Sequence, residues 1–77
     1  MDKQARLAAI HAAIKETSEK KESAVYGARM NLDSREWHHA KNCIDRIIAC
    51  ELQIEDLNIE ANSILEDIEN EAKEAIL

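Results

Sequence analysis

The sequence predicts an all-α protein: an antiparallel helical hairpin with a long second helix, coiled-coil-like, that assembles as a homo-oligomeric helical bundle. Three observations predict it. Proline and phenylalanine are absent, and Gly27 is the single glycine, so strand and turn signals are scarce. Ala, Leu, Ile, Glu and Lys dominate, and apolar residues recur in heptads. Because 77 residues is near the lower limit for independent folding, we expect one domain, residues 1–77.

Helix 1 is predicted over about residues 2–29, followed by a turn over residues 30–33. One face follows a 3-4 spacing typical of a helix that packs on a partner. Its members are Leu7, Ile10, Ile14, Thr17, Lys21, Ala24 and Ala28. Residues 16–23 are polar nearly all round, so the middle of this helix is expected to be its weakest part.

The predicted turn depends on capping signals. Asn31 can take the left-handed conformation that ends a helix. Asp33 suits an N-cap, with Glu36 three residues later in a capping-box arrangement. Leu32 and Trp37 occupy the positions of a hydrophobic staple around that cap.

Helix 2 is predicted over about residues 34–75, and its apolar residues form a heptad seam. The seam comprises Ala40, Cys43, Ile47, Cys50, Ile54, Leu57, Ala61, Ile64 and Ile68. So many consecutive a and d positions without a charge indicate coiled-coil packing. We expect the large members to hold an oligomer together: Ile47, Ile54, Leu57, Ile64 and Ile68. A second stripe, Ile48, Leu52 and Ile59, lies on the far side, where a helix that only packed in a hairpin would not need it.

The two helices differ in predicted length. With the turn at residues 30–33, residue 1 pairs with residue 62, so the chain after Asn62 has no partner in its own hairpin. This overhang carries Ile64, Leu65, Ile68 and Ile76. Because an apolar stripe left in water is a liability, we expect a second copy or another protein to cover it.

Charge is unevenly distributed within the net charge of −6. Residues 1–50 carry nine basic and seven acidic side chains, a net of +2, and residues 51–77 carry one basic and nine acidic, a net of −8. The favoured interpretation is a solvated acidic face, partly matched by basic residues of helix 1. The alternative is a nucleic-acid mimic that occupies a basic cleft of a protein. The candidate partner-binding carboxylates are Glu55, Glu60, Glu66 and Asp67. Direct nucleic-acid binding is disfavoured by the negative charge.

Tyr26 and Trp37 lie on either side of the predicted turn, near Arg29 and Arg35. We expect them to pack together and seal the end of the hairpin. The alternative is a binding patch for a small anionic molecule such as a nucleotide, because aromatic and arginine side chains dominate binding hot spots.

Metal and catalytic chemistry are disfavoured. His39 and Cys43 are four residues apart and could share a metal, but a structural zinc needs four ligands. Cys50 lies about 10 Å along the helix from Cys43, so the site would need His11 or a second copy. We therefore expect packed, reduced thiols and no cofactor. One glycine and no long loop leave little material for an oxyanion hole, so no enzyme is expected.

No apolar run is long enough to span a membrane, and the N-terminal segment is too polar for a secretory signal, so we expect a cytoplasmic protein. In size, acidity and hairpin plan the chain resembles the short helical proteins that phages encode to disable host factors, some of which are nucleotide sponges and others nucleic-acid mimics. It also resembles the hairpin dimers of plasmid copy-number regulators, from which the acidic overhang departs. Both resemblances concern architecture, so no residue roles carry over.

The favoured function is therefore a non-enzymatic oligomeric binding protein, a phage-type inhibitor or adaptor that binds a host macromolecule through its acidic helical face. One alternative is an oligomeric sponge that binds a small anionic nucleotide at the turn end. The other is a purely structural coiled-coil assembly module. The expected partners are further copies of the chain and another protein.

Overall fold

The computed structural model describes residues 2–76 and shows an antiparallel hairpin of two helices. Helix α1 runs from Lys3 to Asp33 and helix α2 from Trp37 to Ile76. The molecule is a rod with principal extents of 63 × 15 × 15 Å. The predicted all-α hairpin is confirmed, and no helix of the described residues is long and apolar enough to cross a membrane.

Each helix buries the face that its spacing predicts. On α1, the predicted positions from Leu7 to Ala28 are all buried or half-buried. On α2, the nine seam positions from Ala40 to Ile68 are buried or half-buried, and every other described side chain is exposed. The seam packs against α1 of its own chain, so its first role is to close the hairpin.

The core is one side chain thick and differs between the two ends of the rod. Ile10, Ala61 and Ile64 are buried together far from the turn, and four partly buried aliphatic residues pack around them: Leu7, Ile14, Leu57 and Ile68. Nearer the turn the buried residues are alanines: Ala24, Ala28 and Ala40. Gly27 allows a close approach there, because a Cβ at this position would lie 3.1 Å from Cys43 Sγ. No large side chain of the described residues is fully buried.

The predicted turn at residues 30–33 is wrong by about four residues. Asn31 lies inside α1, where its side-chain amide donates to Cys43 Sγ at 3.7 Å. Asp33 is the last residue of α1 and does not cap α2. Asn31 continues the 3-4 spacing of the α1 face, so extending the helix keeps its side chain against α2.

The connection itself is a Schellman motif. Arg35 adopts the left-handed conformation, with φ of 59°. The Arg35 N–H donates to the Leu32 carbonyl at 3.1 Å, and the Glu36 N–H donates to the Asn31 carbonyl at 2.8 Å. The Glu36 carbonyl then accepts the first bond of α2, from the Ala40 N–H at 3.0 Å. Glu36 is therefore the cap of α2.

The later turn also shows that the predicted overhang after Asn62 is wrong. Lys3 forms an ion pair with Glu71, so the partner of the first turn of α1 lies about eleven residues further along α2 than expected. Ile64 is consequently buried within the hairpin, and Ile68 packs against the same cluster. The side chain of Ile76 lies outside the described residues. Leu65 is 46% exposed, so it alone among the described large apolar side chains of the predicted overhang still lacks a partner in the hairpin.

The seam and the outer face of α2 make different contributions to stability, and one pair of substitutions separates them. Ile64→Ala should lower the free energy of unfolding by about 2 kcal/mol or more, because it opens a cavity in the core cluster. Ile59→Ala, at an exposed position of the same helix, should change it by about 0.5 kcal/mol or less at low protein concentration. Urea unfolding followed by circular dichroism measures both. Equal losses would contradict the assignment of faces.

Arg35 gives a second prediction, because a non-glycine residue in the left-handed conformation costs about 1 kcal/mol. Arg35→Gly should therefore raise the free energy of unfolding by about 0.5 to 1 kcal/mol. Arg29→Gly, within α1, should lower it by about 1 kcal/mol. Destabilisation by Arg35→Gly in the same urea titration would show that the turn has a different conformation.

Candidate binding surfaces

The largest unpartnered feature of the molecule is a row of apolar side chains on α2, which we call the outer stripe. It comprises Ile44, Ile48, Leu52 and Ile59, with exposed fractions of 42%, 52%, 57% and 61%. At about 100° per residue these four positions fall within an arc of about 80°, turned well away from the seam. They extend about 22 Å along the helix. The predicted far-side stripe, Ile48, Leu52 and Ile59, is therefore exposed in the hairpin, and Ile44 is exposed beside it.

Four charged residues share the arc of the outer stripe, and the last of them, Lys73, pairs within the helix with Glu69 at 3.4 Å between Nζ and Oε1. Lys41 lies at its N-terminal end and pairs within the helix with Asp45, at 3.2 Å between Nζ and Oδ2. Glu55 lies between Leu52 and Ile59, and Glu66 lies beyond Ile59. Neither glutamate forms an ion pair with any residue in the described part of the chain. The outer face of α2 is thus apolar, with free carboxylates in its C-terminal half.

The other candidate carboxylates have different surroundings. Glu60 faces α1 and pairs with Arg6, at 3.5 Å between carboxylate oxygen and guanidinium nitrogen. Asp67 is exposed and contributes to the field at Lys3. The four predicted partner-binding carboxylates therefore do not form one surface: Glu55 and Glu66 border the outer stripe, and Glu60 pairs with Arg6 across the hairpin.

Basic residues of α1 neutralise part of the acidity of α2, in agreement with the favoured interpretation of the charge distribution. Lys21 pairs with Glu51 at 3.4 Å, and Lys3 with Glu71. The hydrogen bond to Glu71 raises the pKa of Lys3 above its ordinary value. The contribution of this pair to stability is therefore complete at neutral pH and is lost only as the pH rises through the raised pKa. Since the pair is exposed to solvent, it adds little to the free energy of unfolding; it links the start of α1 to the C-terminal part of α2.

A groove of about 670 Å³ lies between the helices in the half of the rod nearer the turn. Its walls are small residues, two thiols, one aromatic ring and two cations: Ser23, Ala24, Gly27, Ala49, Cys43, Cys50, Tyr26, Lys20 and Arg46. Lys20 pairs with Glu16 at 3.6 Å, whereas Arg46 forms no ion pair with any of residues 2–76. Small side chains on both helices leave this space open, and Tyr26 and the cations border it.

The expected seal by Tyr26 and Trp37 is wrong. Their exposed fractions are 68% and 62%, and His38 with His39 is the one aromatic pair in contact within residues 2–76. Because the turn lies later than predicted, Tyr26 sits about two helical turns from it and Trp37 opens α2. Arg29 and Arg35 are exposed, and neither lines the groove beside Tyr26.

The possible metal ligands do not converge in the described structure. His39 and Cys43 both border a shallow polar depression beside the turn, where the His39 imidazole lies 3.6 Å from the Glu36 carboxylate. Among residues 2–76, no group of three or more His, Cys, Asp or Glu side chains could hold a metal ion. His11 is exposed next to Ile10, near the other end of the rod. Cys43 and Cys50 are free, half-buried thiols in the seam.

The chain matches no protein-family model, and neither the curated proteins nor the solved structures contain a significant match. The outer stripe and the interhelical groove are two surfaces of the described residues that combine apolar side chains with charged ones. The sequence pattern pointed to the first. It did not point to Lys20 and Arg46 as neighbours of Tyr26, although the lone Gly27 within a helix was a signal of close helix approach there.

Proposed function

We propose that this chain is a non-enzymatic binding protein that engages an apolar helix of a protein partner through the outer face of α2. The observation that carries the proposal is the outer stripe. Four large aliphatic side chains, 42% to 61% exposed, form a row along one side of α2 that only Glu55 interrupts, between Leu52 and Ile59. Monomers rarely leave such a row in water, and a patch rimmed by polar residues marks an interaction site.

The charges beside the stripe specify the chemistry of the partner. Glu55 and Glu66 lie on the same arc as Leu52 and Ile59 and form no ion pair with any of residues 2–76. A helix that carries Lys or Arg next to its apolar residues would bury the stripe and pair with both carboxylates. An inhibitor or adaptor that binds the basic, amphipathic helix of a host protein would use the outer face of α2 in this way. The free thiols fit a cytoplasmic setting, which is part of the proposal.

The test uses a synthetic amphipathic peptide of Leu and Lys as the partner and isothermal titration calorimetry as the measurement. The wild-type chain should bind the peptide, and a scrambled peptide of the same composition should bind at least tenfold more weakly because it cannot form an apolar face. Glu55→Lys with Glu66→Lys should weaken binding about tenfold or more.

The matched control is Glu19→Lys with Glu22→Lys, which changes the net charge equally but lies on α1. It should leave binding within about threefold of the wild type, since the charges are remote from the stripe. Equal weakening by both pairs would mean that net charge alone attracts the peptide. Equal binding of the scrambled peptide would also contradict the proposal.

A second candidate function, a nucleotide sponge, is favoured by the interhelical groove. Tyr26 offers a ring for stacking, and Lys20 and Arg46 offer positive charge on opposite helices. The groove volume of about 670 Å³ is in the range of small-molecule sites. The residues differ from those expected at the turn end, because Arg29, Arg35 and Trp37 do not line this groove.

Adenosine diphosphate is a suitable probe for this second function. In calorimetric titrations, Tyr26→Ala with Arg46→Ala should lower nucleotide affinity about tenfold or more, through lost stacking and charge. Arg35→Ala with Trp37→Ala should leave it unchanged. Absence of binding at millimolar nucleotide would exclude the sponge. Loss of binding only in the variant with Arg35→Ala and Trp37→Ala would show that the nucleotide binds at the turn end and not in the groove.

A further inference from the structure

We infer that the partner of the outer stripe is a second copy of this chain, whose α2 lies antiparallel across the first in a two-fold symmetric dimer. The inference rests on the proposed function, because it names the helix that the outer face of α2 would bind. Lys41 beside Ile44 and Ile48 gives the N-terminal half of α2 the chemistry required of that helix: apolar side chains with a cation alongside.

The surface of the hairpin supports further burial. Its accessible surface is 6013 Å². A folded monomer of 8.7 kDa is expected to expose about 4,700 Å², so the excess is about 1,300 Å². Each partner in a standard-size interface buries about 800 Å². With no large side chain fully buried among the described residues, the single hairpin has a thin core, and a dimer would add the apolar burial it lacks.

The charges on the outer face are complementary to a reversed copy of the same face. If the two-fold axis passes near residue 53, Ile48 lies opposite the second copy of Ile59, and Leu52 lies beside its own counterpart. Lys41 then lies opposite the second copy of Glu66, and this ion pair occurs twice. These placements follow from the positions of the residues along one straight helix.

A parallel arrangement lacks this complementarity. It would place Glu55 against Glu55, Glu66 against Glu66 and Lys41 against Lys41, and like charges in contact are unfavourable. The antiparallel orientation keeps the Glu66 carboxylates of the two copies at opposite ends of the interface, whereas the two Glu55 residues lie about 6 Å apart along the helices, near the two-fold axis. A self-complementary face of this kind is what a two-fold dimer requires.

Sedimentation velocity of the full chain at about 1 to 100 μM, the range that brackets weak and standard interfaces, tests the dimer. We expect the mass to rise from 8.7 kDa towards twice that value. Leu52→Glu should keep the chain at 8.7 kDa across the range with its helical circular dichroism retained, because Leu52 lies outside the seam. The control is Met30→Glu, a similarly exposed apolar position on α1, which should still dimerise.

A charge swap tests the orientation. Lys41→Glu and Glu66→Lys should each weaken the dimer about three- to tenfold, since each places like charges together twice. The double variant should restore the wild-type dissociation constant in an antiparallel dimer. In a parallel dimer the single variants would not weaken association, because each position would still meet its own copy and like charges would face each other in every variant.

Three results would overturn the inference: a monomer throughout the concentration range, a dimer unaffected by Leu52→Glu, or a charge swap that fails to restore association. The peptide titration separates this failure from failure of the proposed function. A monomer that binds the Leu and Lys peptide through Glu55 and Glu66 retains the function and rejects the second copy as partner. A monomer that does not bind the peptide rejects both.

Discussion

The packing of the α2 seam on α1 is the constraint from which the rest of the molecule follows. All nine seam positions are buried or half-buried inside the hairpin, so the seam closes the single chain before it can contribute to any contact between molecules. Of the large apolar residues that remain exposed, four form the outer stripe, which the hairpin cannot cover; the others are Tyr26, Met30, Leu32, Trp37 and Leu65. The seam also fixes the register, and through it the ion pairs of Lys3, Arg6 and Lys21 with α2.

Heptad spacing made the fold and the faces predictable, because one periodic signal extends over nearly the whole of each helix. The turn was less predictable, since it depends on a few residues whose local preferences compete with packing. Asn31 and Asp33 have good capping chemistry, yet the helix continues through them and places Asn31 against Cys43. The left-handed position falls instead on Arg35, a residue with no preference for it. An error of four residues at the turn then became an error of about eleven in the pairing of Lys3 at the other end.

The candidate surfaces were predictable to different degrees. The outer stripe is a property of one helix and is visible as periodicity. The groove beside Tyr26 depends on which residues of α1 lie opposite Cys43, Arg46 and Cys50, and therefore on the register. The carboxylates could be identified by type, but only the ion pair between Arg6 and Glu60 shows which of them the hairpin itself uses. The chemistry of a partner can be inferred from such a surface, whereas its identity is not encoded in one chain.

The unequal core has a consequence for how the chain folds. Contacts beside the turn, such as that between Asn31 and Cys43, join residues 12 apart, whereas Ile10 and Ile64 are 54 apart. Closing the longer loop costs about 1.3 kcal/mol more entropy. The contacts near the turn bury mainly alanine, so they remove little apolar surface from water and stabilise a folding nucleus only weakly. The aliphatic cluster forms only after the entropy of closing the longer loop has been lost. Formation of this hairpin should therefore be slower and more all-or-none than zipping from the turn would suggest, with few partly folded states at equilibrium.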